Sequence, residues 1–325
     1  MRAIVVREFG ARPELTDMPI PEAGPGTVQI QLEAAGVNPF DQRIIEGILK
    51  DKLPHDFPLI VGVDGAGTIS SVGPGVDDFG VGDRVVGKWV IPPIGHGTYA
   101  EYIVVPRDSI IAKIPDEVTA IQAAALPIAG ITALDLVHAA QVTAGQTVLV
   151  VGASGGVGSY LVQLAALAGG HVIATARPDD TDRMIRLGAA EVVNYGRVQV
   201  TDSPTRPQSS ELSVADSVRI TVPGGVDVLF DLISPPPGFA DNLSVVRDGG
   251  AAYTTVWSAD ETALKARDIQ GGNFESKGGA KELRELLRHV GNGDLVVPVE
   301  ATPPLEAAPD VLGAPGARGK TVLFI

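Results

Sequence analysis

The sequence predicts an α/β protein in which a β-rich antiparallel part is joined to a doubly wound parallel sheet. Three observations predict it. Short strand-like runs separated by Gly and Pro turns fill residues 1 to 118, among them "AIVV", "TVQIQLEAAGV", "DRVVGKWV" and "AEYIVV", which is the spacing of antiparallel strands. From Thr119 onward apolar strands alternate with amphipathic helices, as in "TVLVVG", "SYLVQLAALAG", "HVIATA", "DRMIRLG" and "VDVLFDLI", the pattern of a parallel sheet covered on both faces. Between the first of those strands and its helix lie four glycines in seven positions, "GASGGVG".

The β-rich part is expected to comprise residues 1–121 together with a tail, 266–325, whose closing "KTVLFI" reads as a strand that rejoins it. The parallel-sheet part is expected over 122–265. Between them "TAIQAAALPIAGITALDLVHAA" is helical with a Pro break. The stretch "TDSPTRPQSSELS", residues 201–213, is Ser/Pro-rich with little apolar content and reads as an exposed loop.

Composition narrows the chemistry. With 325 residues and 45% apolar content the chain can bury two sizeable cores. A formal charge of −14 argues against nucleic acid or an anionic membrane surface as a partner, since both would repel it. The absence of cysteine excludes disulfides and thiolate metal sites. No apolar run has the length of a transmembrane helix, and "MRAIVVREFG" does not read as a signal peptide. A cytoplasmic protein is expected.

The glycine turn points to a phosphate. In a strand–turn–helix unit the glycines let the backbone approach a ligand, and the helix start offers free N–H groups and a positive dipole end. Ala153, Gly155 and Gly158 match a dinucleotide fingerprint with Ala in the first place, and Ser154, Gly156 and Val157 complete the turn. The next strand, "HVIATA", ends at Arg177 instead of the acidic residue that would accept from a ribose 2′-hydroxyl. A cation there suits a 2′-phosphate, which makes NADPH the expected cofactor, with Arg183 one turn into the following helix. A solvated surface arginine is the alternative at 177.

These motifs resemble the zinc-free quinone oxidoreductase branch of the medium-chain dehydrogenase/reductase superfamily over nearly the whole chain. "GQTVLVVGASGGVGSYLVQLAAL", "AAGVNPFDQRIIEG", "GTYAEYIVVP", "AALPIAGITALDLV", "LGAAEVVNY", "GVDVLFDLI", "RDGGAAYTT" and "ARGKTVLFI" follow that family's landmarks in order. The resemblance implies a GroES-like catalytic domain, a Rossmann domain and an active site in the cleft between them. It also implies no metal. Asn38 stands where zinc-dependent relatives carry Cys, and Val63-Asp64 where they carry His-Glu.

Without a Lewis acid the accessible hydride chemistry is reduction of a quinone or an activated C=C, an enone or enoyl substrate. Asn38 is implied as an amide donor to the substrate carbonyl, with capping of the turn before Pro39 as the alternative. Arg43 is a second candidate for polarising that carbonyl, unless it faces solvent. Thr132 resembles a residue close to the nicotinamide. Tyr195, Ile233, Thr255 and Lys320 match positions near the cofactor, although Tyr195 reads equally as a plain strand-end tyrosine. Relatives commonly pair as homodimers through the nucleotide-binding domain. "SPPPGF" (234–239) in place of a Gly-rich turn, together with the long 201–213 segment, suggests a specialised, natural-product enzyme. An NADPH-binding accessory protein without turnover is the alternative.

Overall fold

The computed structural model describes residues 1–194, 213–314 and 318–325, so Tyr195 and nearly all of the Ser/Pro-rich segment lie outside the described residues. Two compact units emerge, Met1–Ile131 with Gly278–Ile325, and Thr132–Lys277.

The first unit opens with β1 (Arg2–Val6), β2 (Glu14–Asp17) and β3 (Thr27–Gly36). α1 (Pro39–Ile45), β4 (Leu59–Ile60), β5 (Asp64–Val72), β6 (Arg84–Lys88), β7 (Tyr102–Pro106) and β8 (Ile110–Lys113) follow. α2 (Ala120–Ala124) and α3 (Pro127–Ala139) lead out of it, and Pro127 opens the second of these helices. Buried and accessible residues alternate along the first half of β3, as expected of a strand with one face on a core. That core gathers Val28, Ile30, Leu32, Ile69, Val85 and Trp89.

The second unit is the parallel sheet. Its strands are β9 (Thr147–Val151), β10 (His171–Ala176), β11 (Glu191–Asn194), β12 (Val226–Asp231), β13 (Val246–Thr254) and β14 (Gln270–Asn273). The helices are α4 (Gly156–Leu167), α5 (Thr181–Arg186), α6 (Val214–Thr221), α7 (Pro236–Leu243) and α8 (Glu261–Ala266). Among the described residues the strand order is β11-β10-β9-β12-β13-β14, and every neighbouring pair is parallel. This is a Rossmann-like sheet. Its order reverses direction at β9, and ligands bind beyond the carboxyl ends of the strands at such a point. β9 is buried along four of its five residues, which is why it reads as one unbroken apolar run.

The chain then returns to the first unit with α9 (Ala280–Gly291), β15 (Val299–Ala301), α10 (Ala308–Val311) and β16 (Lys320–Phe324). α9 buries Leu283, Leu286 and Leu287 on one stripe. β16 pairs antiparallel with β3, Val322 opposite Gly36, so the tail strand rejoins the first unit as its sequence suggests. By their internal contacts the two units divide at 131/132 and 277/278, where the sequence reading places the domain boundaries at 121/122 and 265/266. β14 completes the parallel sheet from beyond residue 265, and helix periodicity alone does not show which unit a connecting helix joins.

Candidate active site

In the second unit the glycine turn joins β9 to α4, whose N-cap is Gly155 and whose first turn no side chain caps. The glycines differ in what they are for. A Cβ at Gly158 would lie 2.2 Å from the Gly152 carbonyl oxygen and 2.7 Å from Ala153 Cα, so the close approach of helix to turn requires glycine there. A Cβ at Gly155 would meet only the Gly152 carbonyl oxygen, at 3.4 Å. The space above Gly155 is therefore open. Uncapped N–H groups, the positive end of a twelve-residue helix and open space over the turn suit a pyrophosphate. The Ser154 hydroxyl, buried and without a hydrogen-bond partner, adds an unused polar group to the same turn. These residues fit a dinucleotide.

Arg183 is drawn onto this turn. It donates to the Ser154 carbonyl at 3.2 Å and to Ser159 Oγ at 3.0 Å. Arg177 follows β10, at the N-cap of a short turn, and is exposed. It forms no ion pair among the described residues. Ile233 packs against the turn from the end of β12, where a Cβ on Gly152 would come within 2.9 Å of its Cγ2. Thr255 follows β13 and is half-buried. Thr132, midway along α3, is half-buried as well.

The first unit holds a second constellation, which the sequence only partly indicates. Asn38 is 3% exposed. Its amide nitrogen donates to Asp64 Oδ2 at 2.9 Å and to the Gly36 carbonyl at 3.4 Å. Its Oδ1 accepts from Lys320 Nζ at 2.6 Å, and that ammonium also donates to the Val37 carbonyl at 2.8 Å. Asn38 is the N-cap of α1 by position, yet its side chain does not cap. The Asp41 carboxylate does the reverse and accepts from the Asn38 backbone N–H at 2.8 Å. Tyr99 donates its hydroxyl to the same Asp41 Oδ2 at 2.8 Å, while Asp41 Oδ1 is buried without a partner. Asp64 also accepts from the Ile128 N–H at 3.1 Å.

Burial governs the protonation of this cluster. Desolvation pushes Asp64 up to about 6 despite the pull of the Lys320 charge. It raises Asp41 as well, and the neighbouring Asp64 charge adds to that shift. Burial lowers Lys320 and raises the Tyr99 hydroxyl well above its ordinary range. Charged forms are disfavoured because water is excluded.

Asp41 and Tyr99 are absent from the sequence expectations. The only local signal for Asp41 is its place three residues after Asn38, the spacing of a side chain that reaches back to an N-cap. Of the residues expected near substrate or cofactor, Asn38 and Lys320 come together here. Arg43, in the last turn of α1, is exposed and stands apart from the cluster's hydrogen bonds.

Comparison with known proteins agrees with this architecture. The family model for the alcohol dehydrogenase GroES-like domain matches residues 24–116, and that for the zinc-binding dehydrogenase matches residues 156–278. A chloroplast envelope quinone oxidoreductase homolog of Arabidopsis thaliana is 40% identical over 204 residues, 60% of this chain and 61% of that protein. The chain thus matches less than two thirds of that relative's length. A quinone oxidoreductase of Sus scrofa is 31% identical across 100% of this chain and 98% of its own. Among solved structures, an NAD-dependent alcohol dehydrogenase superposes with a TM-score of 0.84 at 31% identity, covering 100% of both chains.

Zinc, which the second family model's description names, does not fit the residues present. Val63 offers no donor atom, the Asp64 oxygens are committed to Asn38 and Ile128, and the chain has no cysteine. Among the described residues no three His, Cys, Asp or Glu side chains converge as a metal would need.

Proposed function

The chain belongs to the medium-chain dehydrogenase/reductase superfamily, in its quinone oxidoreductase branch, and from that premise we propose that it is an NADPH-dependent, zinc-independent reductase of quinones or conjugated enones and enoyl compounds. The observation that carries the reading is the uncapped start of α4 beneath open space at Gly155, with the exposed Arg177 at the end of the adjacent strand. The nicotinamide, when bound, supplies a hydride.

The protein's own groups do the rest. Backbone N–H groups of Gly156 to Gly158 and the helix dipole would hold the pyrophosphate. Arg177 would meet the 2′-phosphate with charged hydrogen bonds, and Arg183 stiffens the turn by clamping Ser154 and Ser159. Ile233, beside Gly152, and Thr255 would border the nicotinamide end of a bound dinucleotide, and the Thr132 hydroxyl would be available to its carboxamide. Reduction at a conjugated carbon moves negative charge onto the acceptor's carbonyl oxygen, and a donor aimed there accelerates the step. Asn38 supplies one by releasing the Gly36 carbonyl, at 3.4 Å the weaker of its two bonds, while Lys320 and Asp64 keep its amide oriented. Arg43, which faces solvent, is left out of this role.

The outer edge of β14 is exposed at Gln270, Gly271 and Asn273, and an open strand edge of this kind favours pairing with a second copy. A homodimer through this unit is part of the proposal. Among the described residues no helix is long and apolar enough to cross a membrane. The proline-rich "SPPPGF" opens α7, with Pro235 at its N-cap, and such departures around the cofactor edge support a specialised biosynthetic role.

The test is direct. Purified protein should oxidise NADPH in the presence of one or more members of a panel of quinones, enals and enones, and NADH more slowly. NADPH binding with no turnover on any acceptor would favour the accessory-protein alternative. No binding of either dinucleotide would remove the reading altogether.

A further inference from the structure

Two loops leave the carboxyl ends of neighbouring strands in the parallel sheet. Asp231 of β12 and Thr254 of β13 are paired in register; Ile233 lies two residues beyond the first and Trp257 three beyond the second. Both side chains are in solvent, Ile233 57% and Trp257 63% exposed, with Val256 between the strand end and the indole at 36%. An exposed tryptophan forgoes much of the burial that its large apolar surface offers. Trp257 also has φ +61, a left-handed backbone that a bulky side chain rarely adopts. Among the described residues the other non-glycine positions with positive φ, Gln141 and Asp268, are polar and follow the ends of α3 and α8, where left-handed backbone is ordinary. Trp257 has no such excuse.

The strained loop is nevertheless held. Ser258 Oγ donates to the Ser234 carbonyl at 2.6 Å and ties the two loops together. The Val256 N–H donates to Thr254 Oγ1 at 3.2 Å. Asp231, fully buried, accepts from the backbone N–H groups of Ile233 and Ser234 at 3.2 and 2.9 Å and from Asn242 Nδ2 at 2.8 Å. A bulky ring kept exposed, on strained backbone, by an anchored scaffold is the pattern of a preorganised contact surface. Ile233 makes that surface continuous with the glycine turn through its contact with Gly152. Residues 232–235 and 255–258 include no charged side chain, so these loops offer a bound group no counter-charge of their own.

We propose that Trp257 is a specificity-determining residue, its indole forming with Ile233 an apolar platform on which a flat, neutral, ring-bearing acceptor stacks. The proposal rests on the dinucleotide-linked reduction argued above, and it narrows that reaction's acceptors to planar conjugated rings in preference to small acyclic enones.

Steady-state kinetics at saturating NADPH, with 1,4-naphthoquinone and with 3-buten-2-one, should be compared for the wild type, W257A and W257F. Loss of a stacking partner should raise the KM for naphthoquinone about five- to tenfold in W257A while kcat and the KM for butenone change little. W257F, which keeps a ring, should restore most of the difference. The affinity for NADP⁺, read by calorimetry, should be unchanged in W257A. In the NADP⁺ complex, tryptophan fluorescence of the wild type minus that of W257F isolates the indole at 257, and naphthoquinone should quench it saturably. Equal KM changes for both acceptors, a loss of NADP⁺ affinity in place of a KM effect, or quenching that never saturates would each overturn the platform. If the wild type turns over no acceptor, the reductase reading fails, and saturable quenching of Trp257 still decides the platform independently.

Discussion

Lys320 Nζ donates to Asn38 Oδ1 at 2.6 Å, and the Asn38 amide nitrogen donates in turn to Asp64 at 2.9 Å, so one buried amide links an ammonium to a carboxylate. The lysine arrives on the last strand of the chain and the carboxylate on β5, and neither has water to fall back on. Lys320→Met should therefore leave Asn38 Oδ1 and the Val37 carbonyl without their donor and Asp64 without its nearest opposing charge. A loss of about 2–4 kcal/mol is expected in urea unfolding at pH 7. A loss below 1 kcal/mol would mean that the cluster is not a structural unit.

Stability should fall as pH rises through the range in which the buried carboxylates ionise. Asp64, raised in the folded state to about 6 from an ordinary 3.8, favours the folded state fully below about pH 4 and loses that contribution as pH climbs through 6. The change is on the order of 3 kcal/mol for the one group. Asp41 acts in the same direction. In Asp41→Asn the amide oxygen still accepts from Asn38 and Tyr99, so the fold should persist while the fall in Tm between pH 5 and pH 8 becomes shallower than in the wild type. An unchanged or steeper fall would show that Asp41 is not raised.

Alanine at two glycines of one turn should have two different effects. Gly158→Ala forces a methyl group into the Gly152 carbonyl and should cost stability by about 2 kcal/mol or more, seen as a lower Tm with or without ligand. Gly155→Ala meets open space; its Tm should stay near that of the wild type while NADPH affinity drops at least tenfold, because the methyl group occupies the place of the phosphate. Equal losses of stability in both variants would contradict the separate roles.

Arg177→Ala should weaken NADPH much more than NADH. A charged hydrogen-bonded pair with phosphate contributes roughly 1.5–3 kcal/mol, which corresponds to about ten- to a hundredfold in affinity. Binding of both dinucleotides to the wild type and the variant is the measurement. Equal losses, or a wild-type preference for NADH, would remove Arg177 from the cofactor site.

Turnover should survive prolonged chelation, and elemental analysis should find no stoichiometric zinc. One tightly bound zinc per chain whose removal abolishes activity would overturn the reading of Val63 and Asp64.

Local pattern alone was enough to reveal the two kinds of sheet, the glycine turn opening α4 and the return of the tail strand. Each depends on periodicity over a few residues or on a backbone demand that only certain residues meet, such as the close approach at Gly158. The cation after β10 was legible for the same reason, since its place is counted along one strand. Partnerships between distant side chains were not. Tyr99 meets Asp41 across 58 positions and Lys320 meets Asn38 across 282, and the register of β16 on β3 brings the second pair together. Nothing in the residues around Arg183 indicates that it clamps the turn, nor does "TTVWSA" tell that Trp257 stands exposed on left-handed backbone. A chain encodes its own periodicity within each element, whereas the partners of a buried polar group follow from how those elements pack, and packing is a property of the whole core.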